Sequence, residues 1–170
     1  MKKYLILLLL FFACDSCLES PEAKFEKDGV TFISPRGLKI TDEENIDNEG
    51  YLISIEKDGF DSSSLIIISW INGELDLDNW ININVDEMKN NIIYKNSNLV
   101  FRELQKDKYN YLDTNSMKYT SDLLGVKHEG IIHFFYKKGK TFSISIEEAI
   151  EDKAKNKKGL KLIEQSFKIE

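Results

Sequence analysis

Two stretches of this chain are apolar on consecutive residues, and they constrain its fold more than any other feature. Leu65-Ile66-Ile67-Ile68 and Ile131-Ile132 with Phe134-Phe135-Tyr136 are short and rich in β-branched and aromatic residues, which reads as strand. Successive side chains of a strand point to opposite faces, so an unbroken apolar run requires burial on both. Such strands belong in the middle of a sheet that is covered on each side. Phe142, Ile144 and Ile146 instead alternate with Thr141, Ser143 and Ser145, the pattern of a strand with one wetter face, expected nearer an edge. Lys137-Lys138-Gly139-Lys140 joins the two patterns through a short, Gly-containing link, so the pair forms an antiparallel hairpin.

The remaining strand candidates are Val30 to Ser34, Leu38 to Ile40, Tyr51 to Glu56, Leu99 to Gln105 and Ser116 to Thr120. Two helices are expected as covers. Ile81, Val85, Met88 and Ile92 recur at helical spacing and form one apolar stripe over roughly Asn79 to Tyr94, with Asp78 as N-cap. A second helix is expected from Glu147 to Phe167, with Ser145 and Glu148 at capping-box spacing, Leu160, Ile163 and Phe167 on one face, and Gly159 as a potential break. The fold class is therefore α+β, a mainly antiparallel β-sheet covered by helices on both faces. Ile67, Ile132, Phe134, Phe142 and Ile144 are its expected core.

At 170 residues the chain has room for one domain. Its hydrophobic fraction of 42% supports a core, which excludes a disordered or fibrous class. The first 13 residues read as a signal peptide: Lys2 and Lys3, nine apolar residues from Tyr4 to Phe12, then a small residue. A spanning helix needs ~20 apolar residues, so a permanent transmembrane segment is not expected. Phe11-Phe12-Ala13-Cys14 resembles the bacterial lipobox, which implies that Cys14 carries the lipid (a palmitate-type acylation) and becomes the mature N-terminus. Cys17 is the less favoured site because Asp15 would place a charge in its cleavage motif. The alternative is an ordinary secreted protein with Cys14 and Cys17 as thiols or paired to each other. Residues 14–28 are polar and mixed in charge and read as the tether; residues 29–170 read as the globular domain. Cleavage takes two of the 23 basic residues away against 29 acidic ones, moving the net charge from −6 to −8. Neither nucleic acid nor strong adhesion to anionic headgroups is expected of such a chain.

Gly29-Val-Thr-Phe-Ile-Ser-Pro35 with Leu38, Gly139-Lys140-Thr141-Phe142-Ser143-Ile144 and Ile163-Glu164-Gln165-Ser166-Phe167-Lys168 resemble the opening strand and proline turn, the last strand and the closing helix of the PsbP-like superfamily, of DcrB and PsbP type. The resemblance covers about Gly29 to Lys168 by element order. It places Asp113-Thr114-Asn115 where that family often turns a hairpin with Asn-Gly. It implies an α/β/α sandwich and a non-catalytic adaptor or assembly role, and it supplies no catalytic residues.

The residues themselves show no nucleophile elbow, phosphate-binding loop, dinucleotide turn or H-E-x-x-H pair. His128 and His133 are five apart, so in one strand they face opposite ways and share no metal. The acids of Thr41 to Glu49 lack the spacing of a calcium loop and read as a solvated turn, Trp70 and Trp80 as core, and Lys153, Lys155, Lys157 and Lys158 as a solvated helix face. No catalytic residue, metal ligand or cofactor is expected. The function expected is that of a bacterial cell-envelope lipoprotein, held on an inner or outer membrane by its N-terminal lipid, that binds or assembles an envelope protein. The alternatives are an envelope enzyme with a carboxylate-based site or a passive surface lipoprotein, against which an exposed apolar patch would argue.

Overall fold

The computed structural model describes residues 21–46, 49–57 and 64–170. Strand β1 (Ala23–Lys27) turns through Asp28-Gly29 into β2 (Val30–Ser34), followed by β3 (Leu38–Ile46), β4 (Gly50–Lys57) and β5 (Ser64–Asn72). Helix α1 (Leu77–Asn90) precedes β6 (Val100–Phe101), β7 (Gln105–Tyr109), β8 (Leu112–Leu123), β9 (Val126–Lys137) and β10 (Lys140–Ala149). A short 3-10 turn, Ile150–Asp152, leads into helix α2 (Lys153–Ser166) and then β11 (Lys168–Ile169). The large sheet is antiparallel throughout, in the order β3-β4-β5-β10-β9-β8-β6, with β7 pairing to β8 off that path. A small second sheet runs β1-β2-β11. Among the described residues the fold is thus mostly antiparallel β with two helices.

Strand β10 is the central strand, which corrects the expectation that its alternating pattern placed it near an edge. Its polar residues are buried because their hydroxyls find partners. The Ser143 and Ser69 hydroxyls lie 2.6 Å apart, while Thr141 donates to the Gly73 carbonyl and accepts from the Leu75 N–H, each at 2.9 Å. A satisfied hydroxyl is compatible with a dry face, so alternating Ser and Thr did not mark solvent. The β9–β10 hairpin is as expected, with Lys138 at φ 52° and Gly139 at φ 75° in a two-residue turn whose twist suits the strands.

Ile132, Phe134, Phe142 and Ile144 are buried as expected, but Ile67 is only half-buried; Ile66 and Ile68 fill the core in its place. The reason lies in the covers. Trp80 and Ile81 of α1 pack with Tyr119, Ile132 and Phe134 over β8 and β9, which leaves the same face of β5 less covered. Ile163 of α2 and Phe167 just after it pack with Phe135, Phe142, Ile66 and Ile68, together with Phe25, Val30 and Phe32 of the small sheet. That layer includes residues assigned above to the tether. Ala23–Lys27 pairs along β2, and Phe25 stacks on Phe32 at 4.8 Å between centroids, so the folded part begins before Gly29.

Other boundaries shift for local reasons. Asp76, not Asp78, caps α1: its carboxylate accepts from the Asp78 and Asn79 N–H groups at 2.9 and 3.3 Å. The helix stops at Asn90, short of Tyr94, because the Asn91 side chain accepts from the Ile93 N–H at 2.9 Å and turns the chain away. The helix expected from Glu147 starts at Lys153, since Glu147 and Glu148 pair with β5 on one side and β9 on the other, and two ladders outweigh one capping box. Gly159 does not break α2; it lets the helix approach Pro35, whose Cγ would lie 3.3 Å from an added Cβ. The expected Leu99 to Gln105 strand divides into β6 and β7, and the hairpin turn lies at Asn110-Tyr111, with Asp113-Thr114-Asn115 inside β8. The signal peptide, Cys14 and Cys17 lie outside the described residues.

Candidate functional site

At one end of the large sheet the β8–β9 hairpin, the loop after α1 and the 3-10 turn converge around a cleft of about 910 Å³. Leu124 stands at the hairpin tip, fully exposed, and Ile92 and Ile93 beside it are 85% and 64% exposed. Val126 and Ile150 extend the apolar surface at 37% and 45%. Among the described residues the lining carries Asp122, Glu151 and Asp152, the last with Lys155 3.9 Å away, but no Lys or Arg. This is an apolar patch with an acidic rim.

The hairpin tip is strained as well as exposed. Leu124 has φ 52° and is followed by Gly125 at φ 85°. A left-handed backbone costs an L-residue with a Cβ about 1–2 kcal/mol, less for Asn or Asp. At the equivalent first turn position the β1–β2 and β7–β8 hairpins carry Asp28 and Asn110, and the β9–β10 hairpin carries the soluble Lys138. Leu124 alone among these four turns combines an unfavourable conformation with an apolar side chain in water. Strained positions of this kind are enriched at functional sites.

A buried hydrogen-bond network holds the neighbouring loop in place. The Glu147 carboxylate, on β10, accepts from the Tyr94 hydroxyl at 2.6 Å and the Tyr119 hydroxyl at 2.8 Å. Burial and the adjacent carboxylate push both phenols above their ordinary range. Tyr94 directly follows Ile92-Ile93 and so ties that loop to the sheet, while the Asp122 N–H donates to the Ser97 carbonyl at 2.5 Å and ties it to the hairpin. Gly130 on β9 makes room for the Tyr119 ring: an added Cβ would lie 2.2 Å from its Cζ.

The residues singled out from the sequence are dispersed. His133 is buried on the face opposite His128, with Nδ1 3.0 Å from the Thr114 hydroxyl; burial lowers its pKa, opposed by Asp107 and Glu164. Near it the Ser116 hydroxyl donates to Asp107 at 2.9 Å, so Ser116 and His133 each have a different partner. His128 bonds the Val126 carbonyl at 2.9 Å and lines the apolar cleft. Glu129 takes Lys153 as its partner, and Glu148, half-buried, has its pKa raised by desolvation against the pull of Lys153. Asp42, Glu43 and Glu44 lie along β3, not in a turn, and Glu43 accepts from the Tyr51 hydroxyl. Trp70 and Trp80 are both buried, as expected. Among the described residues no three His, Cys, Asp or Glu side chains gather for a metal, and no helix is long and apolar enough to cross a membrane.

Helical periodicity conceals the apolar end, because Ile92 fits as the last residue of a core-facing stripe. The available signal was Leu123-Leu124-Gly125-Val126, where a glycine between two strand patterns marks a turn whose first residue is apolar.

No protein-family model and no curated relative matches the sequence. Solved structures do. The chain superposes on CyanoP, the cyanobacterial PsbP of Synechocystis sp. PCC 6803, with a TM-score of 0.57 and 12% identity, over 88% of this chain and 92% of that one. The fold is PsbP-like. A second PsbP-like match is LpqN of Mycobacterium tuberculosis, a protein involved in cell envelope biogenesis, at TM-score 0.53, 10% identity, and 88% and 86% of the two chains. A protein of Bacteroides thetaiotaomicron matches at TM-score 0.54 and 13% identity over 86% of this chain but 48% of its own, so this chain spans about half its length. At such identities the likeness is one of PsbP-like fold alone.

Proposed function

We propose that this chain is a bacterial cell-envelope lipoprotein, anchored by lipid on Cys14, whose PsbP-like domain is a non-catalytic module that docks a protein partner at its apolar end. In this reading α1 and α2 cover opposite faces of the large sheet in an α/β/α sandwich, supported by Ile132 and Phe134 packing with α1 while Phe135 packs with α2. The observation that carries the function is Leu124, held in a strained turn with its side chain in water, at the centre of an apolar patch. A passive surface protein has no use for that combination. The acidic rim selects the partner: an apolar segment flanked by Lys or Arg. The envelope role of LpqN, a neighbour in fold, is consistent with such a module.

The test is a photo-crosslinking residue at position 124 in cells. A single reproducible crosslink to an apolar, Lys- or Arg-flanked protein segment, lost in Glu151→Lys, is expected. Leu124→Asn should abolish capture by a crosslinker at position 93 while raising unfolding stability by about 0.5–1 kcal/mol. Crosslinks to lipid, or to no protein, would refute the docking role. Mass spectrometry of the mature N-terminus checks the anchor independently, and an intact Phe12-Ala13-Cys14 peptide would reject it.

A further inference from the structure

A second cleft, of about 670 Å³, lies between α2 and the β2–β3 turn, and its charge is the reverse of the protein's. Arg36, Lys57, Lys155, Lys158 and Lys161 line it, against one acid, Glu22. In a chain of net charge −6 that is a local inversion of sign. Screening acts over about 8 Å at physiological salt, so a ligand in the cleft meets these cations, with Glu22 and the Asp152 beside Lys155, and not the acids farther off. Arg36, Lys158 and Lys161 form no ion pair with any described residue; Lys155 is 3.9 Å from Asp152. Below the cations Pro35, Leu38 and Leu162 supply an apolar floor, and Gly159 lets α2 come close enough to Pro35 to shape it. Cations above a small apolar base match an amphiphile with a phosphate head.

Where the chain leaves the fold decides between ligands of that chemistry. Glu22, on the rim of the cleft, is eight residues after Cys14, a reach of at most about 29 Å. Resting on the proposed anchor at Cys14, we infer that this cleft is the seat of the domain on its own membrane, binding the phosphate headgroup of an anionic lipid. Anionic headgroups then hold this chain despite its net negative charge, and the α2 lysines are more than a solvated face. It also assigns the two clefts different partners, since the acidic rim around Leu124 is repelled by the same headgroups. The lipid chain holds the protein at the bilayer; the cleft orients it.

Every strand and helix among the described residues lies within Ala23–Ile169, so residues 14–170 produced without lipid contain the described fold and separate the cleft from the anchor. Flotation with phosphatidylcholine vesicles, with and without about 30% phosphatidylglycerol to make the surface anionic, is the assay. Binding is expected only with the anionic lipid. It should fall at least about tenfold in Arg36→Glu/Lys158→Glu/Lys161→Glu, because one cation at such a surface is worth about fivefold. A charge-matched control, Lys95→Glu/Lys127→Glu/Lys137→Glu, should keep most of the binding, with circular dichroism confirming that both variants fold. Equal loss in the two variants, or no binding to anionic vesicles, overturns the inference. Saturable shifts of the Gly37 and Gly159 amides by inorganic phosphate, without vesicle binding, would overturn the headgroup in favour of a soluble phosphate. None of these outcomes depends on whether Cys14 is lipidated, which the N-terminal mass decides separately.

Discussion

Gly130→Ala is a one-carbon change that should destabilise this protein severely. Gly130 pairs with Tyr119 across β8 and β9, and the tyrosine ring lies over the glycine. A Cβ there would stand 2.2 Å from Cζ and 2.5 Å from the hydroxyl oxygen, so the ring must move. It has little room to do so: Tyr119 is 1% exposed, its ring packs on Phe101 at 5.7 Å, and its hydroxyl is bound to Glu147. Overpacking of this kind costs about 1–3 kcal/mol. Displacing the hydroxyl removes one of two phenol donors from a carboxylate that is itself 4% exposed, which costs about 1.5–3 kcal/mol more. The alanine recovers about 0.5–1 kcal/mol of backbone entropy, leaving a net loss of about 2–5 kcal/mol. Urea unfolding followed by the fluorescence of buried Trp70 and Trp80 measures it. Tyr119→Phe should lose only the hydrogen-bond part, and in a Tyr119→Ala background the Gly130 substitution should cost nothing, because the obstacle is gone. A loss below about 1 kcal/mol, or an undiminished cost in that background, would show that the glycine is not there for the tyrosine.

Three further outcomes follow from the same structure. Phe134→Ala removes a fully buried ring between α1 and the sheet and should cost about 3–5 kcal/mol by the same unfolding assay. Thr141→Val keeps the shape of the side chain but strands the Gly73 carbonyl and the Leu75 N–H; a cost of about 2–4 kcal/mol is expected, and a neutral result would mean that water reaches both groups. His133 is held below its ordinary pKa chiefly by burial, with Lys118 adding to it and Asp107 and Glu164 opposing, so between the folded and unfolded pKa values the unfolded chain binds more protons. Stability should therefore fall as pH drops from about 7.5 through the unfolded value near 6.5, and His133→Gln should flatten that part of the unfolding curve measured against pH.

What the sequence alone determined is what neighbours along the chain decide. Lys138-Gly139 makes a tight turn wherever it is placed, Ile132 and Phe134 must be buried, and His128 and His133 face opposite ways, because turn chemistry, hydrophobicity and strand periodicity are local. The centre of the sheet was not legible. Thr141 and Ser143 are polar in any one-dimensional reading, and only the approach of Gly73, Leu75 and Ser69, more than 60 residues away, satisfies their hydroxyls and lets β10 lie in the middle. Ala23–Lys27 reads as a tether until β2 offers it a ladder and Phe32 a ring to stack on. The two clefts are tertiary in the same sense. Ile92, Leu124 and Ile150 are unremarkable apart, as are Arg36 and Lys158; the fold gathers each set into one surface, because burial, charge and strain at a point in space depend on which distant segments share that point.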